Sequence, residues 1–215
     1  MSRKEHWEGV YQNKPSDDVS WYQKKPSISL GLIESARLAS EDKIIDVGGG
    51  ASVLVDFLIE DGFRNITVLD LSSKALSIAK ERLGEGSKAV NWVVSDITEY
   101  TPKDKYRLWH DRAVFHFLTE QGDRKKYRAQ LEEHVEAGGI VIISSFSIGG
   151  PKKCSGLDTV QYDSDKIQTE IGPKFSLIGE HSESHITPGG KEQSFNYFMF
   201  KKIEYSAKKY LEVSL

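Results

Sequence analysis

Cysteine is nearly absent. Cys154 is the only one in 215 residues, so no internal disulfide can form, and a zinc cluster built from several thiolates is excluded. Any metal would have to rest on histidines and carboxylates, and none is expected. Long apolar runs are also missing: the longest, Gly139-Ile140-Val141-Ile142-Ile143, falls far short of the roughly 20 residues that a membrane helix needs. The first eight residues carry charges with no apolar stretch behind them, unlike a secretory signal, so the expectation is a cytoplasmic protein with no membrane partner. Nor is charge of one sign in excess. The 29 Lys and Arg against 32 Asp and Glu leave a net charge of −3, which gives no basic field to hold a polyanion, and nucleic acid is not an expected partner.

What is present is an ordinary globular composition. Hydrophobic residues at 38% and charged residues at 28% exclude collagen-like and wholly disordered chains, and the length suits one domain with a terminal decoration. No repeat or low-complexity tract appears. Short β-branched runs alternate with helix-compatible segments, the pattern of βαβ units. The first strand, Lys43-Ile44-Ile45-Asp46-Val47, closes on Gly48-Gly49-Gly50, and Val53, Leu54, Phe57 and Leu58 then recur at helical spacing. Further strands are read at 65–70, 90–94, 106–111 and 140–146, with Ser72 capping a helix to Leu83 and a helix at 127–134. A short helix at 163–171 precedes a hairpin, 175–186 and 193–200, around Thr187-Pro188-Gly189-Gly190. Five strand–helix repeats, a sixth strand and its hairpin partner give an α/β fold. It is a Rossmann-like, doubly wound, seven-stranded sheet, mostly parallel with one antiparallel strand in a C-terminal hairpin. Residues 1–40 form an N-terminal helical cap, 41–203 the main domain, and 204–215 a tail read as a short helix.

In such a sheet the ligand crevice lies outside the carboxyl ends of the strands, near the switch in strand order. Asp46, Gly48, Gly49 and Gly50 sit there, and the glycines let the backbone approach a ligand closely. Twenty residues beyond Gly50 the second strand ends in Asp70, placed to accept hydrogen bonds from two ribose hydroxyls. Ser95 and Asp96 close the third strand, where a carboxylate can accept from an adenine amino group. Three successive strand ends thus suit an adenosine-containing cofactor.

On these residues the chain resembles the class I, seven-strand S-adenosylmethionine-dependent methyltransferases over roughly residues 30–202. The likeness rests on four motifs: Asp46-Val47-Gly48-Gly49-Gly50-Ala51-Ser52, then Val68-Leu69-Asp70-Leu71-Ser72, then Ser95-Asp96-Ile97, and His110-Asp111-Arg112-Ala113-Val114-Phe115-His116-Phe117-Leu118. The resemblance assigns the first to the cofactor's methionine part, Asp70 to the ribose, and Asp96 with Ile97 to the adenine, and Leu71 is counted among the cofactor-binding residues. Two departures are Ser52, where many members have a third glycine, and Arg107, where an acid commonly begins the fourth strand. The segments Trp7-Glu8-Gly9-Val10-Tyr11 and Ser20-Trp21-Tyr22-Gln23 look like the entry segment of small-molecule enzymes and of some protein-lysine enzymes. Cys154-Ser155-Gly156-Leu157 and His185-Ile186-Thr187-Pro188-Gly189-Gly190 resemble a bacterial branch of unknown substrate.

Methyl transfer from a sulfonium is an in-line displacement, so the protein mainly aligns the nucleophile and excludes water. Asp111 can hold the substrate, accept its proton or contact the cofactor's amino group, against a plain strand-end acid. His116 is a candidate base, although Phe115 and Phe117 equally suit a packed wall. Arg112 can anchor an anionic substrate or the cofactor carboxylate. His185 at the hairpin rim and Cys154 in the loop after the fifth strand are further substrate candidates. Trp21 and Tyr22 either close over the cofactor or pin the cap to the core. The resulting expectation is methylation of a small molecule, with S-adenosylhomocysteine as by-product. Protein-lysine methylation and a non-catalytic cofactor-binding module are the alternatives. A NAD-dependent oxidoreductase is a third enzyme reading, disfavoured because G-x-G-x-x-G fails at Val53.

Overall fold

The computed structural model describes residues 2–204; residue 1 and residues 205–215, which hold most of the expected tail helix, lie outside it. Two helices lead in, α1 (Arg3–Asn13) and α2 (Ser27–Ser35). The alternating part follows as β1 (Lys43–Val47), α3 (Leu54–Glu60), β2 (Asn65–Asp70), α4 (Ser73–Leu83), β3 (Val90–Val94), β4 (Tyr106–Arg112), α5 (Gln121–His134) and β5 (Val135–Phe146). A two-stranded ribbon, β6 (Lys153–Cys154) and β7 (Leu157–Asp158), precedes α6 (Ser164–Ile171) and the hairpin β8 (Phe175–Ile186) and β9 (Glu192–Lys202).

The seven-stranded sheet runs β3-β2-β1-β4-β5-β9-β8, with β9 antiparallel to both neighbours and the other pairings parallel. The chain leaves β1 toward β2 on one side and later returns to β4 on the other, so the switch in strand order falls at the carboxyl end of β1. Register brings Val47 level with Leu69 and with Asp111 there.

Neighbouring strand residues point to opposite faces, and the core divides accordingly. Ile45, Trp109, Ile143 and Phe198 pack with Tyr127 and Leu131 of α5 and Ile167 and Ile171 of α6. Ile44, Leu108, Ile142 and Tyr197 pack with Ile33 of α2 and Leu54, Val55 and Leu58 of α3. Each fully buried aliphatic side chain contributes about 1.5–3 kcal/mol, so the two layers hold the strand ends in place.

Helix ends follow local chemistry. Ser72 Oγ accepts from Ala75 N at 3.0 Å to start α4, and Asp163 accepts from Lys166 N at 2.9 Å to start α6. Ser2 and Glu5 form a reciprocal capping box on α1, with bonds of 2.8 and 3.2 Å.

Three expectations change. The helix read at 127–134 begins at Gln121; its added turns are polar, and only Tyr127, Leu131 and His134 are buried, so apolar spacing could not report them. The fifth strand starts at Val135, directly after α5, and carries Gly138 and Gly139 inside it. The strand–helix alternation also lapses once. Residues 95–105 between β3 and β4 form a loop, where Asp96 Oδ1 accepts from both Thr98 N and Thr98 Oγ1.

Candidate functional site

At the switch point the chain opens a cleft of about 850 Å³ of free space, part of it open to solvent. Gly48, Leu69, Asp70, Leu71, Ser95, Asp96 and Ile97 form one end. The turn after β1 requires its glycines: Gly48 and Gly50 have φ of 68° and 45°. A Cβ on Gly48 would run into Val114, and one on Gly50 would lie 2.9 Å from Asp70 Oδ2 and 3.2 Å from the Tyr11 hydroxyl. Asp70 Oδ1 accepts from Ser72 N at 2.8 Å, and among the described residues no Lys or Arg pairs with this carboxylate. Burial pushes its pKa up to about 7; the Ser72 bond opposes this, and the charges of Asp46 and Glu8 add to it. A buried acid with acceptor capacity to spare, beside a turn cleared of side chains, fits a pair of ligand hydroxyls such as those of a ribose.

An adjoining compartment, also partly open to solvent, shares Tyr11, Trp21, Gly48 and Arg112 with the cleft and is lined also by Tyr22, Asp46 and Gly49. Asp46 Oδ1 takes a hydrogen bond from His110 Nδ1 at 2.7 Å, and His110 Nε2 lies 2.9 Å from Ser29 Oγ. A carboxylate can only accept, so Nδ1 is the donor in the Asp46 bond. These are the residue types of a nucleophilic triad, but Ser29, His110 and Asp46 are only 0%, 2% and 3% exposed. They join α2 to β4 and β1.

The sequence reading expected a helical cap over residues 1–40 but gave Arg3 and Glu8 of its first helix no part in roofing the cleft. Helix α1 lies across the strand ends, with Arg3 pairing to Asp96 at 3.0 Å and to Asp123 at 3.2 Å. On the other side Glu8 accepts from Ser73 N (2.7 Å), Lys74 N (3.1 Å), Ser72 Oγ (3.0 Å) and Ser73 Oγ (2.7 Å). It thereby satisfies free N–H groups of the first turn of α4. Burial would raise the Glu8 pKa, but the bonds from Ser73, Lys74 and Ser72 outweigh it and hold the carboxyl below its ordinary value. Beneath, Trp7 meets Trp21 and Phe117 edge-on at 5.5 and 5.1 Å. The ring spacing Trp7/Tyr11 on one helix turn was the available signal.

Asp111 is not brought to the cleft. It is fully buried; Oδ1 accepts from Val114 N and Phe115 N, and Oδ2 accepts from the Tyr127 hydroxyl at 2.7 Å. Burial raises its pKa to about 6 against those bonds. Its carboxylate shapes the turn after β4 and lies out of reach of an acceptor in the cleft. His185 is also drawn away: its Nε2 is 2.8 Å from the carbonyl oxygen of Ser20, and it lines a separate surface hollow. Tyr22 lines the adjoining compartment rather than the main cleft.

Arg112, His116, Cys154 and Trp21 do line the main cleft, together with Phe146, Gln193 and Phe195 at its hairpin end. Arg112 donates from Nε to the Tyr197 hydroxyl (2.9 Å) and from Nη1 to the Trp21 carbonyl (2.8 Å). His116 is fully buried and stacks on Phe146, with 4.6 Å between centroids and 15° between planes. Burial, and then the charge of Arg112, lower its pKa to about 3, so it is a neutral imidazole. Burial pushes the Cys154 thiol up, which keeps it protonated. Among the described residues no group of three metal-ligating side chains forms, and no helix is long and apolar enough to cross a membrane.

Residues 44–139 match the family described as "Methyltransferase domain". The chain is 23% identical over 196 residues to EEF1A lysine methyltransferase 2 of Mus musculus, covering 83% of this chain and 78% of that one. It is 25% identical over 135 residues to malonyl-[acyl-carrier protein] O-methyltransferase 2 of Ilyobacter polytropus, covering 62% of this chain and half of that relative's length. Among solved structures it is similar to the N-methyltransferase NodS of Bradyrhizobium japonicum WM9 in complex with S-adenosyl-L-homocysteine. There the TM-score is 0.68 at 13% identity, over 92% of this chain and 98% of that one. The sheet order β3-β2-β1-β4-β5-β9-β8 is the Rossmann-like methyltransferase fold, and residues 44–139 within it match the methyltransferase-domain family model.

Proposed function

We propose that this chain transfers a methyl group from S-adenosylmethionine to a small-molecule acceptor held at the hairpin end of the cleft. The observation that carries the small-molecule reading is the roof. Helix α1, pinned by Arg3 on one side and Glu8 on the other, covers a cleft walled by Trp7, Trp21, Phe117, Phe146 and Phe195.

The cofactor, when bound, supplies an electrophilic methyl on a sulfonium. Asp70 would accept from the ribose hydroxyls, Ser95, Asp96 and Ile97 would border the adenine, and Gly48, Gly49 and Gly50 would let the backbone close on the amino-acid end, with Asp46 behind them. Trp21 and the α1 rings exclude water from the reacting end. His116, neutral at all working pH values, offers one N–H and one lone pair to orient the acceptor; with so low a pKa it orients rather than removes a proton.

Similarity to a protein-lysine methyltransferase over 83% of the chain favours a second reading, since a lysine side chain is slim enough to enter such a cleft. Incubating the purified protein with methyl-labelled cofactor and a cell extract, then separating macromolecules from metabolites, decides between them. Label in the low-molecular-weight fraction is the expected result. Label confined to a protein band would overturn the small-molecule reading.

A further inference from the structure

Buried polar atoms in folded proteins find partners, so those left without one mark where a ligand completes the bonding. Four such atoms belong to three residues of one wall: Arg112 Nη2, both ring nitrogens of His116, and Gln193 Oε1. The three residues surround one pair of aromatic rings. Phe146 and Phe195 lie 4.6 Å apart, His116 stacks on Phe146, and the Arg112 guanidinium carbon is 5.1 Å from the Phe195 centroid. Gln193 stands two residues before Phe195 on β9 and therefore on the same face of the sheet.

Charge identifies what such a wall takes. Arg112 has spent Nε on Tyr197 and Nη1 on Trp21, and Nη2 is 3.7 Å from Glu183 Oε2, beyond hydrogen-bond length. Glu183, which accepts from Gln23 Nε2 and the Tyr197 hydroxyl, is an ion-pair partner of Arg112 at that distance but gives Nη2 no hydrogen bond. The guanidinium thus keeps one cationic donor for an oxyanion. His116 and Gln193 bring neutral donors and acceptors, and the rings bring a flat apolar surface.

From this juxtaposition we propose that the hairpin end of the cleft is a subsite for a small planar acid. Its carboxylate docks on Arg112 Nη2, its ring lies against Phe195 and the His116–Phe146 stack, and its other polar groups meet His116 and Gln193. The inference rests on the methyltransferase reading, because the subsite lies at the far end of the same cleft from the cofactor residues.

The test is calorimetric titration of the protein, saturated with S-adenosylhomocysteine, with benzoate, 4-hydroxybenzoate and cinnamate, each against its uncharged primary amide. At least one acid is expected to bind tenfold or more tightly than its amide. Arg112→Gln removes that preference, and Arg112→Lys, which keeps charge without the fork, restores part of it. Gln193→Leu, which leaves the cation in place, weakens acid and amide together and keeps the preference. If no acid binds, or acid and amide bind alike, the inference fails. It fails also if the preference survives Arg112→Gln, and above all if that variant instead loses S-adenosylhomocysteine, since Arg112 would then serve the cofactor's carboxylate. Absence of S-adenosylhomocysteine binding in the unmodified protein would strike the methyltransferase reading itself; its binding alongside indifferent acids strikes the subsite alone.

Discussion

Asp70 is the buried acid at the glycine-turn end of the cleft. Its folded-state pKa, raised to about 7, lies above the value of an exposed carboxyl, so folding favours the protonated form. The sign follows. The stabilisation is complete below the ordinary carboxyl range and is lost as pH rises through 7, and Asp111, raised to about 6, acts the same way. Over that range the lowered pKa of His116 works in the opposite direction, so the Asp70 contribution is read by difference: between pH 5.5 and pH 8 ligand-free Asp70→Asn is expected to lose less stability than the unmodified protein. A ribose inverts the preference, because hydroxyl donors favour the ionised carboxylate. S-adenosylhomocysteine affinity should climb between pH 6 and pH 8 in the unmodified protein and stay flat in Asp70→Asn. At pH 8 that variant should bind at least tenfold more weakly, about 1.4 kcal/mol. Calorimetry across this range measures both; a variant with unchanged affinity and unchanged pH profile would remove Asp70 from the ribose role.

Among the elements, α1 links the roof of the cleft to the sheet. Its carboxylate at position 8 caps α4 from outside that helix, a task usually done by a side chain next in sequence. Glu8→Ala strips two backbone N–H groups and two hydroxyls of their acceptor. The expected cost is about 1 kcal/mol, seen as a melting temperature about 2–4 °C lower for a chain of this size. S-adenosylhomocysteine affinity should fall too, because Trp7 and Tyr11 ride on the loosened helix, and Glu8→Gln, which keeps an acceptor, should lie between. Equal melting and equal affinity in all three proteins would show that α1 is not held by this contact. The same helix marks the boundary of what sequence could convey. Strands such as 43–47 and 65–70 were readable because β-branched runs end on glycine or acid, and the Gly48–Gly50 turn with Asp70 follows from local spacing. The roof depends on bonds between residues some 64 to 93 positions apart, Glu8 to Ser72 and Arg3 to Asp96, which no window detects. Asp111 misled for a related reason. Its place at a strand end suggested the crevice, but the acceptor sites on its oxygens are filled by Tyr127, one helix later, and by the backbone of its own turn.

At the scale of the molecule, a ligand in this cleft would touch the ends of β1, β2 and β3 and the underside of α1 together, so its binding energy should appear as stability of the whole fold. S-adenosylhomocysteine at a hundredfold excess over its Kd adds about 2.7 kcal/mol. For a chain of this size that raises the melting temperature by about 5–11 °C. NAD at the same concentration should leave the temperature where it was. A dinucleotide needs the third glycine of its fingerprint so that the helix can pack against the strand beside the pyrophosphate. Here that position is Val53, which precedes α3, and the Tyr11 hydroxyl already stands over the turn, a Cβ at Gly50 reaching within 3.2 Å of it. A melting shift with NAD and none with S-adenosylhomocysteine would assign the glycine turn and Asp70 to a nicotinamide cofactor and withdraw the methyl-transfer reading. The expected pattern would fix the ligand on physical grounds before any acceptor is known.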